Sequence, residues 1–282
     1  MEHLSISVIV TTYNWPNALE CVLSALMDQD YPNFEIIIAD DGSTVETFDV
    51  IKNWQTKIRH PLHHCWQSDE GFRAAMCRNR AAAMARGDYL IFVDGDCIPL
   101  PNFVTRHAKL AEQGWFVAGN RVLLSEPFTQ EIFANKLKVQ NWPFIKWFKA
   151  FASSKCNRFL PLCSLPLGLF RKGEAKRWQG AKTCNLAVWR DDFIRVNGFD
   201  ESFTGWGFED SDFVIRLQRA KVLRKSGKFA APVLHLWHQS QDKTESESNA
   251  DRLTKTLQGT ITRVLKGVDQ YLHDNHQSSA VE

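Results

Sequence analysis

The sequence predicts an α/β fold with a mainly parallel sheet flanked by helices, and three observations carry that prediction. Over the first hundred residues, short β-branched runs alternate with helical patterns, as they do in successive βαβ units. Polar residues fall at the C-terminal ends of the predicted strands three times, where open α/β sheets bind ligands. The composition, 44% hydrophobic and 12% aromatic over 282 residues, supplies a packed core and excludes a disordered chain.

Leu4 leads into Ser5–Val10, which reads as a buried strand. Pro16 stands where a helix begins, and Leu19, Val22, Leu23 and Leu26 recur at helical spacing until Tyr31-Pro32 breaks the pattern. Phe34–Ala39 is a second strand, followed at once by Asp40-Asp41-Gly42-Ser43. A helix is expected over Arg73–Ala85, stopped by Gly87, and Tyr89–Val93 is a third strand ending in Asp94-Gly95-Asp96. The chain changes character after about Pro127. From Thr183 the strand and helix patterns resume, and Gly205-Trp-Gly-Phe-Glu-Asp-Ser-Asp212 opens another helix. Leu253, Leu257, Ile261, Val264, Val268 and Leu272 outline a C-terminal amphipathic helix.

Thirty-four Lys and Arg against 32 Asp and Glu leave a net charge of +2, so no global attraction to nucleic acid is expected. Charge is uneven, however: Lys136 to Trp178 holds ten basic residues, one acid (Glu174) and eight aromatics. Such a segment suits peripheral contact with an anionic membrane, or else its aromatics fill the core beneath a solvated face. The seven cysteines are scattered without a CxxC pair, which fits a reducing compartment. With no signal-peptide pattern and no apolar run near the ~20 residues that span a bilayer, a cytoplasmic protein is expected, peripheral at most to the inner membrane face.

Asp94 and Asp96 are two carboxylates separated by one glycine at the end of a strand. Hard cations such as Mg²⁺ and Mn²⁺ take oxygen ligands and share them with substrate phosphates, so a nucleotide diphosphate would complete such a site. An ordinary Asp-Gly turn is the bland alternative.

Four segments in order set the context. Val8-Ile-Val-Thr-Thr-Tyr-Asn14, Ile38-Ala-Asp-Asp-Gly-Ser43 and Asp94-Gly-Asp96 resemble the opening strand, the second acidic loop and the DxD metal motif of inverting family-2 glycosyltransferases of the GT-A fold. Asn197-Gly-Phe-Asp with Gly205–Asp212 is similar to the acceptor-side motif of β-1,4-galactosyltransferases and bacterial chondroitin-type polymerases. The resemblance covers about residues 5–240. It implies a GT-A domain over 1–240, with a nucleotide-binding half (1–125) and an acceptor half (126–240), followed by a helical extension over 241–282.

The resemblance also implies roles. Thr11, Tyr13 and Asp41 would hold a uracil base, with Arg78, Asn79 and Asp94 completing the donor site. Asp96 would bind Mn²⁺ or Mg²⁺ together with Asp94 and a late histidine, His238 in preference to His235. Asp210 would be the general base, with Trp206, Glu209 and Asp212 on the acceptor sugar; an aromatic face flanked by glycines suits stacking on a sugar ring. Trp178-Gln179-Gly180 and Thr183–Leu186 fall where family enzymes contact the donor sugar. Gly207-Phe208 replaces the family's double glycine, so acceptor specificity does not carry over. The implied activity is transfer of a hexose or N-acetylhexosamine from a UDP-sugar to a glycan or glycolipid hydroxyl, as in a lipopolysaccharide core or capsule. A non-catalytic carbohydrate-binding protein would not require the base, and a nucleotidyltransferase would not require the Trp206–Asp212 motif.

Overall fold

The computed structural model describes residues 4–163, 165, 166, 168–239 and 246–272. The first half runs β1 (Ile6–Thr12), α1 (Pro16–Met27), β2 (Phe34–Asp40), α2 (Val45–Gln55), β3 (Leu62–Trp66), α3 (Ala74–Met84) and β4 (Tyr89–Asp94). It continues through β5 (Cys97–Pro99), α4 (Phe103–Leu110), β6 (Trp115–Ala118), β7 (Asn120–Leu123), α5 (Glu126–Asn135) and α6 (Phe144–Ala152). Then come β8 (Asn185–Trp189), α7 (Arg190–Arg195), α8 (Glu209–Arg219), β9 (Leu223–Ser226), β10 (Pro232–His235), α9 (Ser246–Gln258) and α10 (Asp269–Leu272).

Among the described residues, seven strands form one sheet in the order β3-β2-β1-β4-β8-β6-β9. Four of its six pairings are parallel, and β8 lies antiparallel to both β4 and β6. The parallel strands are apolar without interruption because both faces are covered. Val8, Val10, Ile36, Ile38, Ile91 and Val93 point into the layer that holds α1. Their neighbours Ile9, Ile37, Ala39, Leu90 and Phe92 point into the layer that holds α3 and α8. The alanines of α3 let that helix lie close to the sheet.

The chain moves outward from β1 to β2 and β3, then returns to the other side of β1 as β4. This reversal opens a crevice beyond the strand ends, the usual ligand position in such sheets. A smaller sheet, β5-β10-β7, closes it: β10 pairs with β5 so that His235 stands opposite Cys97, one residue from Asp96. Because β8 inserts beside β4, residues 1–125 and 126–240 share one sheet.

The single C-terminal helix expected through Leu272 is not formed. It ends at Gln258, where Gly259 follows and donates its N–H to the Lys255 carbonyl at 2.9 Å. Val264 and Val268 are instead buried through Asn197, which donates to the Val264 carbonyl and accepts from the Asp269 N–H. Asn197-Gly-Phe-Asp thereby serves as a clasp for the C-terminal segment. The boundary expected at residues 240–241 and the part of the extension beyond 272 lie outside the described residues.

Candidate active site

Parallel register brings three strand ends together: Thr12 of β1 lies beside Asp40 of β2, and Thr11 beside Asp94 of β4. They border a cleft of about 530 Å³ whose lining includes Thr11, Tyr13, Asp41, Arg78, Asp94, Asp96, Trp206, His235 and His238. Nine residues singled out in the sequence therefore meet in one place.

Each acidic loop divides its carboxylates. Asp40 is buried and saturated, accepting from the Ser43 N–H at 2.8 Å and facing His64 Nε2 at 2.8 Å. Asp41 faces the cleft, each oxygen held by one donor: Gln67 Nε2 at 2.6 Å and the Arg73 N–H at 2.8 Å. Burial pushes its carboxyl above the usual range against those two hydrogen bonds. Gly42 makes the turn, with φ +94°, and any Cβ there would meet the Asp69 backbone at 2.5 Å.

Arg78 is the buried hub. Its guanidinium donates to Thr11 Oγ1 at 3.1 Å, Glu209 Oε1 at 3.1 Å and Asp94 Oδ1 at 3.2 Å. Burial raises the Asp94 and Glu209 carboxyls, with neighbouring carboxylates adding to the shift and Arg78 opposing it. Asn79, expected at the donor, does not reach the cleft. Its amide brackets Phe199, donating to the carbonyl at 2.8 Å and accepting from the N–H at 2.9 Å.

Asp96 Oδ2 lies 3.3 Å from His238 Nε2 and 3.6 Å from His235 Nε2, and the three donor atoms fall within 4.8 Å of one another. His238 Nδ1 donates to the Gln239 carbonyl at 2.7 Å, so in the neutral ring Nε2 presents a lone pair to the carboxylate. A ring nitrogen and a carboxylate facing each other are satisfied by a shared proton or by a cation between them, and the donor set fits a divalent metal. Burial pushes the His235 pKa down, keeping that ring unprotonated and ready to ligate. Asp94, Cys97 and Cys184 form a second group of possible ligands, in which burial raises the Cys97 thiol well above its usual value.

The acceptor-side turn is strained where the sequence departs from a double glycine. Gly205 and Gly207 take φ of +70° and +110°, and Phe208 follows at +72°, an uncommon conformation for a bulky residue. This turn exposes Trp206 to the cleft and starts α8 with three acids near its positive end. Asp210 accepts from Thr183 Oγ1 at 2.6 Å, with Lys182 Nζ 3.8 Å from its other oxygen. Asp212 does not face the acceptor side: it is buried, pairing with Arg216 Nε at 2.8 Å and accepting from Thr256 Oγ1 at 2.7 Å. Glu209 is likewise occupied by Arg78, and neither it nor Asp210 is among the cleft-lining residues.

Residues 7–165 match the family model described as glycosyl transferase family 2, and residues 171–239 match that described as the N-terminal domain of galactosyltransferase. The chain belongs to glycosyl transferase family 2. Similar proteins include validoxylamine A glucosyltransferase of Streptomyces hygroscopicus subsp. jinggangensis (30% identical; 80% of this chain, 55% of that one). Chondroitin synthase of Escherichia coli is 24% identical over 86% of this chain and 36% of its own. The chain thus spans about half or less of the length of these relatives. Among solved structures, the mannosyltransferase PcManGT of Pyrobaculum calidifontis, in complex with GDP-Man and Mn²⁺, superposes with TM-score 0.58 (18% identity; 98% of this chain, 70% of that one). S. aureus TarS 1–349 in complex with UDP gives 0.59 (16% identity; 99% and 76%). The fold of this family-2 chain is GT-A.

Several contributors to the site carry no sequence signal. Arg121, Leu123 and Leu124 line the cleft from β7 and its end, in a stretch without a motif. Gln67 and Asp69, which hold Asp41 and Tyr13, follow β3, a strand whose two histidines hide its apolar pattern. Cys184 and Asn185, expected near the donor sugar, are buried; Asn185 hydrogen-bonds the carbonyls of Asn120 and Ala231 and faces His107.

Proposed function

We propose that this chain is a metal-dependent, inverting glycosyltransferase that moves a hexose or N-acetylhexosamine from a UDP-sugar to a hydroxyl of a cell-surface glycan or glycolipid, such as a lipopolysaccharide core or capsule. It would work in the cytoplasm with peripheral membrane contact through residues 136–178. The observation that carries this reading is the convergence of Asp41, Asp94 and the Asp96–His235–His238 set in one cleft, with Asp210 beyond the Arg78 hub.

The uracil would lie against Thr11 and Tyr13, donating its ring N–H to Asp41, which Gln67 and the Arg73 N–H already orient. Asp96, His235 and His238 would hold Mn²⁺ or Mg²⁺, with Asp94 beside them; the two imidazoles favour Mn²⁺ over the more strictly oxygen-seeking Mg²⁺. When bound, the metal neutralises charge that grows on the departing diphosphate. Thr183 fixes one oxygen of Asp210, and the other, 3.8 Å from Lys182 Nζ, would take the acceptor hydroxyl proton. The deprotonated oxygen bonds to the anomeric carbon as the bond to the phosphate oxygen breaks on the opposite face. UDP leaves and the anomeric configuration inverts.

UDP release measured over a panel of UDP-sugars with Mn²⁺, Mg²⁺ or EDTA tests this, with NMR of the product. Turnover by one donor, lost in EDTA and giving the inverted anomer, is expected. A retained anomer would overturn the in-line displacement. UDP binding without any turnover would favour the carbohydrate-binding alternative.

A further inference from the structure

The basic and aromatic segment divides when folded. Trp147 and Ala150 of α6 are buried, and Trp147 stacks with Trp142 and Phe128 at 5.4 and 6.3 Å between ring centroids. Other apolar side chains of the same helix face solvent: Phe144 is 46% exposed, Ile145 60%, Phe148 47% and Phe151 41%. The three phenylalanines gather around Phe159, with ring centroids 5.1–5.4 Å from it. Three exposed phenylalanine rings around a partly buried fourth are uncommon on a protein surface and mark an interaction site.

Charge identifies the partner. Lys146 and Lys149 flank the exposed rings on the same helix, and among the described residues neither has an acidic partner. Lys138 pairs with Asp28, Lys155 with Glu131 and Lys172 with Glu112, whereas Lys146 and Lys149, like Lys136 and Lys176, have no acidic partner among the described residues, and Lys146 Nζ lies 3.8 Å from the centroid of the Trp142 ring. Exposed aromatics beside unpaired lysines on a short amphipathic helix match an anionic lipid interface: rings enter the headgroup boundary and ammonium groups meet phosphates.

The position of α6 gives this contact a purpose. Where the chain leaves the helix it is stitched to the cleft wall: Asn157 exchanges hydrogen bonds with Leu123 at 3.0 Å in each direction, and Arg158 donates to the Arg121 carbonyl at 2.6 Å. Arg121 and Leu123 both line the cleft. We infer that the Phe144–Phe151 face of α6 seats the protein on an anionic bilayer, which presents a lipid-linked acceptor to the Arg121–Leu124 side of the cleft. The acceptor half of this inference rests on the glycosyltransferase reading; the membrane half does not.

The test is co-sedimentation of the full chain with phosphatidylcholine vesicles, with and without phosphatidylglycerol, at low and high salt. It is run on wild type, Ile145→Ser/Phe148→Ser and Lys146→Glu/Lys149→Glu, with UDP release by donor hydrolysis measured in parallel. Wild type is expected to prefer the anionic vesicles and to lose that preference in high salt. Lys146→Glu/Lys149→Glu should bind at least ~10-fold more weakly, since each lysine near such a surface contributes about 1 kcal/mol, and Ile145→Ser/Phe148→Ser should bind more weakly by a comparable factor through the apolar area it no longer buries. UDP release from the soluble donor should be unchanged in both, and its absence from wild type would overturn the transferase reading while leaving the membrane result standing. Equal partitioning into neutral and anionic vesicles, or undiminished binding by both variants, would overturn the inference. So would a wild-type dimer, seen by sedimentation velocity, that Ile145→Ser/Phe148→Ser makes monomeric without any change in vesicle binding.

Discussion

At the strand-end side of the cleft, Asp96 keeps an oxygen facing two imidazoles, whereas at the start of α8 each acid is already engaged by a cation or hydroxyl of the protein. Both regions are acidic, yet their charges are handled differently. The carboxylates beyond the parallel strands divide between protein partners, as Asp40 does with His64 and Asp94 with Arg78, and the crevice, where Asp96 faces the two imidazoles. Carboxylates at a helix start are stabilised by the helix dipole, and there Glu209 and Asp212 pair closely with Arg78 and Arg216, whereas Asp210 keeps one oxygen on the Thr183 hydroxyl and has Lys182 Nζ 3.8 Å from the other. Asp210 is the proposed base. Position in a motif names the candidates, and the partner each one keeps decides among them.

Removing the Asp96 carboxylate should have the largest effect. Asp96→Asn is expected to abolish most turnover while leaving the melting temperature near that of wild type, because the side chain stands beside the cleft and outside the core. Rate assays with and without added Mn²⁺, alongside thermal melting, check this; near-normal turnover without metal would remove the difference between the two regions.

Asp210→Asn should come next. General-base assistance contributes about 10²–10⁴ in rate, so kcat should fall by that order while UDP affinity survives. Full kcat in this variant would shift the base to another acid at the α8 start.

Asp212→Asn sharpens the contrast from the opposite direction. It leaves Arg216 buried without its carboxylate, a change that costs about 3–5 kcal/mol of stability and a Tm shift on the order of 10 °C. The kcat of the folded fraction should remain within a few-fold of wild type. A large kcat loss with unchanged Tm would return Asp212 to the acceptor site.

The distinction between these outcomes follows from what a sequence can encode locally. The strand ends were readable because an apolar run and its acidic tip are contiguous, and the predicted strands match β1, β2 and β4 within about two residues. The destinations of Asn79 and Asp212 were not readable, since they depend on Phe199 and Thr256, far along the chain. Helical periodicity does not continue beyond Gln258 for a related reason: Asn197 holds the backbone of Val264, Val268 and Asp269 so that the two valines are buried, while Leu265 between them is 98% exposed. The basic segment concealed two populations of aromatics that only packing separates. His63 and His64 interrupt the apolar pattern of β3, and Arg121 lines the cleft without any motif to mark it.

The smallest expected effect lies outside both regions and guards against misreading acid sensitivity. His107 is buried, with Nε2 3.1 Å from Asn185 Oδ1, and burial pushes its pKa down to about 4. The unfolded chain takes up the proton at about 6.5, so the stabilising contribution is complete above that pH and is lost as pH falls toward 4. One such group contributes at most about 3 kcal/mol. Urea melts at pH 7, 6 and 5 should show this decline in wild type and a flatter profile in His107→Gln; identical profiles would assign the acid limb to another group.

Asp96 and the two histidines are the proposed centre of a metal-dependent nucleotide site. Isothermal titration of UDP into the wild-type chain, in Mn²⁺ and then in EDTA, tests it most directly. Affinity is expected to fall at least ~10-fold without the metal, in line with a lost charge-assisted contact to the diphosphate. Equal affinity in the two buffers would contradict it.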